Sequence, residues 1–122
     1  MTAAERPTFD LEIALLDDMP VFHMKGRLMD QQQADRLMDS LNQELSKGFS
    51  SVVLDMGDLQ YMNSTGLNIL ISVLTSTRNK GGDTFIARVS HSVRQLFIVT
   101  KLDTVFTIAD TVEEALAKAK AS

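Results

Sequence analysis

The stretch from Ser51 to Leu74 most restricts what this chain can become. Ser51-Val52-Val53-Leu54-Asp55 is short and β-branched, and it gives way through a short polar loop to an apolar run that ends near Leu74. A continuous apolar strand signals burial on both faces, as in the centre of a sheet with helices packed on it. From about Ser64 the residues Leu67, Ile69, Leu70, Ile71, Val73 and Leu74 make the helix apolar nearly all round. Such a helix needs extensive cover from a sheet, with a partner as a second source of cover. The loop Tyr61-Met62-Asn63-Ser64-Thr65-Gly66-Leu67 places two hydroxyls at the helix start. A hydroxyl there is either a cap or a group that can be phosphorylated beside positive backbone N–H groups.

The rest of the chain supplies strands and helices around that unit. Phe9 to Leu16 alternates as a half-buried strand, Asp17-Asp18-Met19-Pro20 reads as a turn, and Val21 to Lys25 resumes as a second strand ended by Gly26. Ala34, Leu37, Met38, Leu41 and Leu45 then recur at helical spacing after an Asp30/Gln33 capping box, and that helix closes near Gly48. Gly81-Gly82-Asp83 stops the second helix, and Thr84 to Ala87 forms a strand. Ser90 can cap a helix carrying Val93, Leu96 and Phe97. A last strand, Val105 to Ile108, leads to a helix with Val112, Leu116 and Ala119 behind an Asp110/Glu113 box. The order β-β-α-β-α-β-α-β-α predicts an α/β domain: an N-terminal hairpin, then alternating units with right-handed crossovers and a mainly parallel sheet with helices packed on it. The 122 residues suit one domain, 1–122, with its core over about 9–120.

Several function classes fall away. Sixteen acidic against twelve basic residues, with no long Lys/Arg cluster, argue against a direct nucleic-acid partner. No cysteine is present, so disulfide frameworks and thiolate chemistry are excluded. Met1 to Pro7 lacks a signal-peptide core and no apolar run is long enough to span a bilayer, which points to a cytoplasmic protein with no membrane partner. His23 and His91 share no metal-ligand spacing and no nucleophile-base set is visible, so neither a metal, a cofactor nor an enzyme is expected. Asp17, Asp18 and Asp55 superficially match a phospho-accepting receiver, but a Pro-containing turn stands where that fold needs a helix. Asn63-Ser64-Thr65 fits a glycosylation sequon, which a cytoplasmic chain does not use.

The chain resembles the STAS-domain anti-sigma-factor antagonists of bacteria. The similarity runs through Gly26-Arg27-Leu28, Val53-Leu54-Asp55 with Leu59, Met62 to Leu67, Gly81-Gly82, Val93-Arg94-Gln95-Leu96-Phe97 and Leu102. It implies a single STAS domain that is a non-enzymatic switch. The unphosphorylated form binds an anti-sigma factor that is also a serine kinase, phosphorylation blocks the binding, and a serine phosphatase resets it. The acceptor that matches the family's Asp-Ser-Ser/Thr-Gly motif is Ser64, with Thr65 the adjacent hydroxyl, and Asn63 stands where the family commonly has Asp. Arg27, Leu28, Met62, Asn63, Ser64, Thr65, Gly66 and Leu67 are the expected docking residues. The other expectation is a STAS scaffold subunit of a signalling or transport-linked assembly, with Ser64 only a cap.

Overall fold

A two-residue turn sets the first hairpin. The computed structural model describes residues 9–121; the start Met1 to Pro7 read above lies outside the described residues. Asp17 and Asp18 both take left-handed backbone, with φ of 52° and 60°. This geometry matches the right-handed twist of the flanking strands. It joins β1 (Phe9–Leu16) to β2 (Met19–Leu28) in unbroken antiparallel register. Met19-Pro20 therefore belongs to β2 rather than to the turn, and β2 runs through Gly26 to Leu28. Gly26, at φ 94°, sits beside an irregularity in the ladder rather than at the strand's end.

From β2 the chain alternates helix and strand: α1 (Gln31–Ser46), β3 (Val52–Met62), α2 (Ser64–Asn79), β4 (Thr84–Ala87), α3 (His91–Val99), a short 3₁₀ turn (Leu102–Thr104), β5 (Thr107–Ala109) and α4 (Val112–Ala121). The sheet order is β1-β2-β3-β4-β5, with β1 antiparallel and the rest parallel, as the alternation predicts. Caps explain most helix starts. Asp30 and Gln33 form the expected reciprocal box, and Ser90 accepts the Val93 N–H. At α4 the cap is Thr111, whose hydroxyl accepts the Glu114 N–H at 3.0 Å, in place of the expected Asp110/Glu113 box. The last strand starts later than expected because the Leu102 carbonyl accepts both the Val105 and Phe106 N–H groups and holds Val105 in the preceding turn.

The two sheet faces are unequally covered. Phe22, Met24, Leu54, Met56 and Ile86 face α1, α2 and α3 and form the main core with Leu37, Leu41, Leu70 and Phe97. Val21, Val53, Phe85 and Ala87 meet Ala115, Leu116 and Ala119 of α4 on the other face. One helix cannot cover five strands, so the β1–β2 side of that face stays open. Helix α2 buries Leu67, Leu70, Val73 and Leu74 but leaves Ile71 exposed, a one-sided burial rather than the all-round cover expected.

The hairpin yields a stability prediction. Asp18 holds left-handed backbone that glycine adopts without steric cost. Asp18→Gly should raise stability by about 0.5–1 kcal/mol, less the entropy glycine adds to the unfolded chain. Thermal unfolding followed by circular dichroism should show a gain of about 2–4 °C.

Candidate functional site

Strands β2 and β3 finish together, with Leu28 opposite Met62. Met29 and Asp30 lead from β2 into α1, while Asn63 alone leads from β3 into α2. No loop separates β3 from its helix; the segment read as a loop is strand up to Met62. The starts of α1 and α2 thus lie side by side at the carboxyl ends of parallel strands, where open α/β sheets present their sites.

Asn63 fixes both helix starts. Its Oδ1 accepts the Gly66 N–H at 3.1 Å and its Nδ2 donates to the Met29 carbonyl at 3.0 Å. Its main chain donates to the Leu28 carbonyl and accepts the Leu67 N–H at 2.9 Å. One acceptor and one donor on opposite sides admit a single orientation of the amide. The Met29 N–H is held in turn by Gln33 Oε1 at 2.7 Å. Gly66 is required by proximity: a Cβ there would collide with the Leu28 carbonyl oxygen and meet Met62 Cγ at 2.7 Å.

Ser64 is the first helical residue and is exposed, whereas Thr65 is half-buried. The first N–H groups of a helix have no intrahelical acceptor, and the Asn63 side chain takes only that of Gly66. The N–H groups of Ser64 and Thr65 are left at the surface, and no acidic residue lies in this first turn. Leu28, Met62 and Leu67 are 0%, 3% and 6% exposed and point into the main core, and Gly66 is also buried. Docking contacts through the Leu28 and Leu67 side chains do not fit, because these are the floor on which α1 and α2 rest, whereas Met62 also lines the groove beside Ser64. The surface that remains is made by Arg27, Ser64 and parts of Asn63 and Thr65. Among the described residues no carboxylate pairs with Arg27, which sits in register beside the exposed Tyr61.

The sequence reading missed the other wall. Tyr61, Asn63 and Ser64 face Ser92, Leu96 and Val99 of α3 across an open groove of about 400 Å³. Val99 is 76% exposed and Tyr61 47%. The signal was legible: Ile98-Val99 continues the apolar run of α3 beyond the face carrying Val93 and Phe97.

A second polar cluster stands on the open face of the sheet. Asp55 is 3% exposed, and its carboxylate accepts from Arg88 Nε at 2.7 Å, from Arg88 Nη2 at 3.2 Å and from the Gly57 N–H at 3.1 Å. His23 Nδ1 lies 2.6 Å from its other oxygen. Arg88 has left-handed backbone, φ 61°, and its guanidinium fills the space where a side chain on residue 57 would stand. Asp55 is therefore a structural anion with committed partners, not a phospho-acceptor, while Asp17 and Asp18 stand at the hairpin turn. Among the described residues no group of three His, Cys, Asp or Glu could hold a metal ion, and no helix is long and apolar enough to cross a membrane.

Comparison with known proteins agrees with this architecture. The STAS domain model matches residues 10–115. BtrV of Bordetella bronchiseptica, named as an anti-sigma factor antagonist, is 29% identical over 105 residues, which span 86% of this chain and 90% of BtrV. An anti-sigma factor antagonist of Mycobacterium paratuberculosis superimposes with a TM-score of 0.78 at 19% identity, over 93% of this chain and 95% of that one. SpoIIAA, a Bacillus cell fate determinant, superimposes in its unphosphorylated form with a TM-score of 0.76 at 20% identity, over 94% and 98% of the two chains. Its phosphorylated form gives 0.68 at 20% identity, over 91% and 98%.

The Asp55 cluster predicts an acid response. Burial alone would raise this carboxyl, but hydrogen bonds from Arg88, the Gly57 N–H and His23 outweigh it and hold it below its ordinary value of 3.8. The folded state then takes up this proton less readily than the unfolded chain, so the contribution is complete above that value and is lost as pH falls through the lowered one. Arg88→Ala removes the main partner and should cost about 1–3 kcal/mol. It should also move the acid-unfolding midpoint to higher pH in a circular dichroism titration; an unchanged midpoint would exclude this role for Arg88.

Proposed function

Because the chain belongs to the STAS domain family, we propose that it is an anti-sigma factor antagonist controlled by phosphorylation of Ser64. In the unphosphorylated state the surface around Ser64 docks on an anti-sigma factor that is also a serine kinase. A phosphate on Ser64 ends the contact, and a serine phosphatase restores it. The observation that carries this reading is an exposed hydroxyl at a helix start, flanked by unpaired N–H groups and an apolar groove. Support comes from the names of the relatives and from the neighbour SpoIIAA, whose phosphorylated and unphosphorylated forms both share this fold. No catalytic group in this chain is needed, since the kinase and the phosphatase supply the chemistry.

The charge arithmetic favours a switch without unfolding. A phosphoserine carries about −1.5 to −2 charges, and a helix start stabilises an anion by roughly 0.3–1 kcal/mol at the surface. The fold therefore tolerates the modification. A docked partner does not, because the dianion would be desolvated against it; disrupting a buried polar contact of this kind costs about 2–5 kcal/mol, or roughly 30- to 5,000-fold in affinity. Ser64 is the preferred acceptor over Thr65 because it is the more exposed hydroxyl. Tyr61, Leu96 and Val99 offer the partner an apolar pocket beside it, and Arg27 a cation.

Two experiments test the reading. With the cognate kinase and ATP, mass spectrometry should place one phosphate on Ser64. Ser64→Ala should bind the partner normally and resist inactivation, while Ser64→Asp should keep its melting temperature and lose at least about 30-fold in affinity by calorimetry. Full affinity in a folded Ser64→Asp would rule out the charge mechanism. Val99→Asp puts a charge in the groove at an exposed position, so stability should hold while affinity falls about tenfold or more; unchanged affinity would remove α3 from the interface.

A further inference from the structure

The outer edge of β1 is only lightly protected, by the charges of Asp10 and Glu12 and by Arg36 on the Phe9 carbonyl. Natural edges are shortened or carry charges, lysine above all, proline or a bulge. The other edge strand, β5, is three residues long, whereas β1 spans eight, contains neither lysine nor proline, and pairs with β2 without interruption. Among the described residues no element pairs with its outer side. Ile13, Leu15 and Leu16 on it are 37%, 57% and 39% exposed.

The direction of the free backbone groups follows from two observations. The turn closes Leu16 on Met19, which points the N–H and C=O groups of even-numbered β1 residues at β2. At the other end Arg36 Nη1 donates to the Phe9 carbonyl at 3.0 Å, so the odd-numbered residues turn theirs outward. The side chains of the odd residues lie on the α1 face, since Phe9 and Leu11 join the main core, and those of Glu12, Ala14 and Leu16 border the open face.

We propose that β1 pairs antiparallel with β1 of a second copy of this chain, centred on Ile13, to form one continuous sheet across the dimer. A twofold axis perpendicular to the sheet keeps each face on its own side, so opposed residues must both be odd or both be even. Centring on Ile13 sets Ile13 against Ile13 and Leu11 against Leu15, an unbroken apolar row made from the outward-facing residues. On the other face Glu12 meets Ala14 and Asp10 meets Leu16, so no like charges oppose one another. Centring on Glu12 would instead set Glu12 against itself, and like charges directly opposed are destabilising. Ile13 pairs with Phe22, six positions before Leu28, so the seam lies about 20 Å along the strand from the Ser64 end. Partner docking and self-pairing therefore use separate surfaces.

Light scattering after size exclusion, from about 10 µM to about 1 mM, should show mass rising from 13.5 kDa towards twice that value. Ile13→Lys should weaken the dimer more than tenfold while circular dichroism and Ser64-dependent binding stay unchanged. If that variant fails to fold, Leu15→Lys, at a more exposed site, serves instead. Register is read separately, because the chain has no cysteine: oxidised Ile13→Cys should form a covalent dimer, and Glu12→Cys should not. A monomer at every concentration, a dimer indifferent to both lysine variants, or cross-linking by Glu12→Cys as fast as by Ile13→Cys would overturn the proposal.

Discussion

Everything at the carboxyl end of the sheet depends on one side-chain amide. Asn63 joins β3 to α2 with no intervening loop, and its oxygen and nitrogen bind in opposite directions, to the Gly66 N–H and to the Met29 carbonyl. The first bond starts α2; the second ties it to the segment that starts α1. A carboxylate at this position could still cap α2 but has no N–H for Met29, and it would set a negative charge against that carbonyl. An amide at this position therefore has a structural reason: it interlocks two helix starts. It also leaves the N–H groups of Ser64 and Thr65 without a neighbouring fixed anion in the first turn of α2.

That interlock determines which residues face outward. Leu28 and Met62 end paired strands, and Gly66 and Leu67 begin the helix laid over them, so all four are drawn inward. Ser64 projects because it is the first residue of a helix whose buried stripe begins with Gly66 and Leu67. The same geometry opens the groove towards α3. Positive helix ends and a rim of apolar side chains then occupy one surface, a combination suited to a contact that a single phosphate can reverse.

The sequence showed the hairpin, the helical spacing, the Asp30 box and the parallel order, because each is a local pattern. It hid the second half of β3. Met56, Leu59 and Met62 all turn inward, yet they are three residues apart, a spacing foreign to a regular strand. The ladder explains this: between His23 and Lys25, and again between Gly26 and Arg27, β3 advances one residue more than β2. Each extra residue flips the alternation, so a period of two becomes a period of three, and the segment reads as a loop. The α3 wall was half visible: the apolar Ile98-Val99 is legible in the chain, but only the fold brings Val99 beside Tyr61. The buried side chains of Leu28 and Leu67 resembled docking surface because sequence shows which residues flank a hydroxyl but not which way they turn.

The bulges also account for the charged cluster on the open face. An extra residue leaves a ladder N–H unpaired, and after Asp55 that group is the Gly57 N–H, taken by the Asp55 carboxylate at 3.1 Å. The anion is shielded by strands on both sides: His23 of β2, and Arg88, which follows directly on β4. Arg88 reaches it by adopting left-handed backbone, and it fits because residue 57 has no side chain. Three departures from regular structure, a bulge, a glycine and a strained arginine, thus converge on one carboxylate and hold three strands in register where α4 does not cover them. No pattern of spacing could expose this arrangement, because its partners lie 32 and 33 residues from Asp55. The proposed phosphate at Ser64 would have no need of this anion, whose charge is neutralised inside the sheet by Arg88.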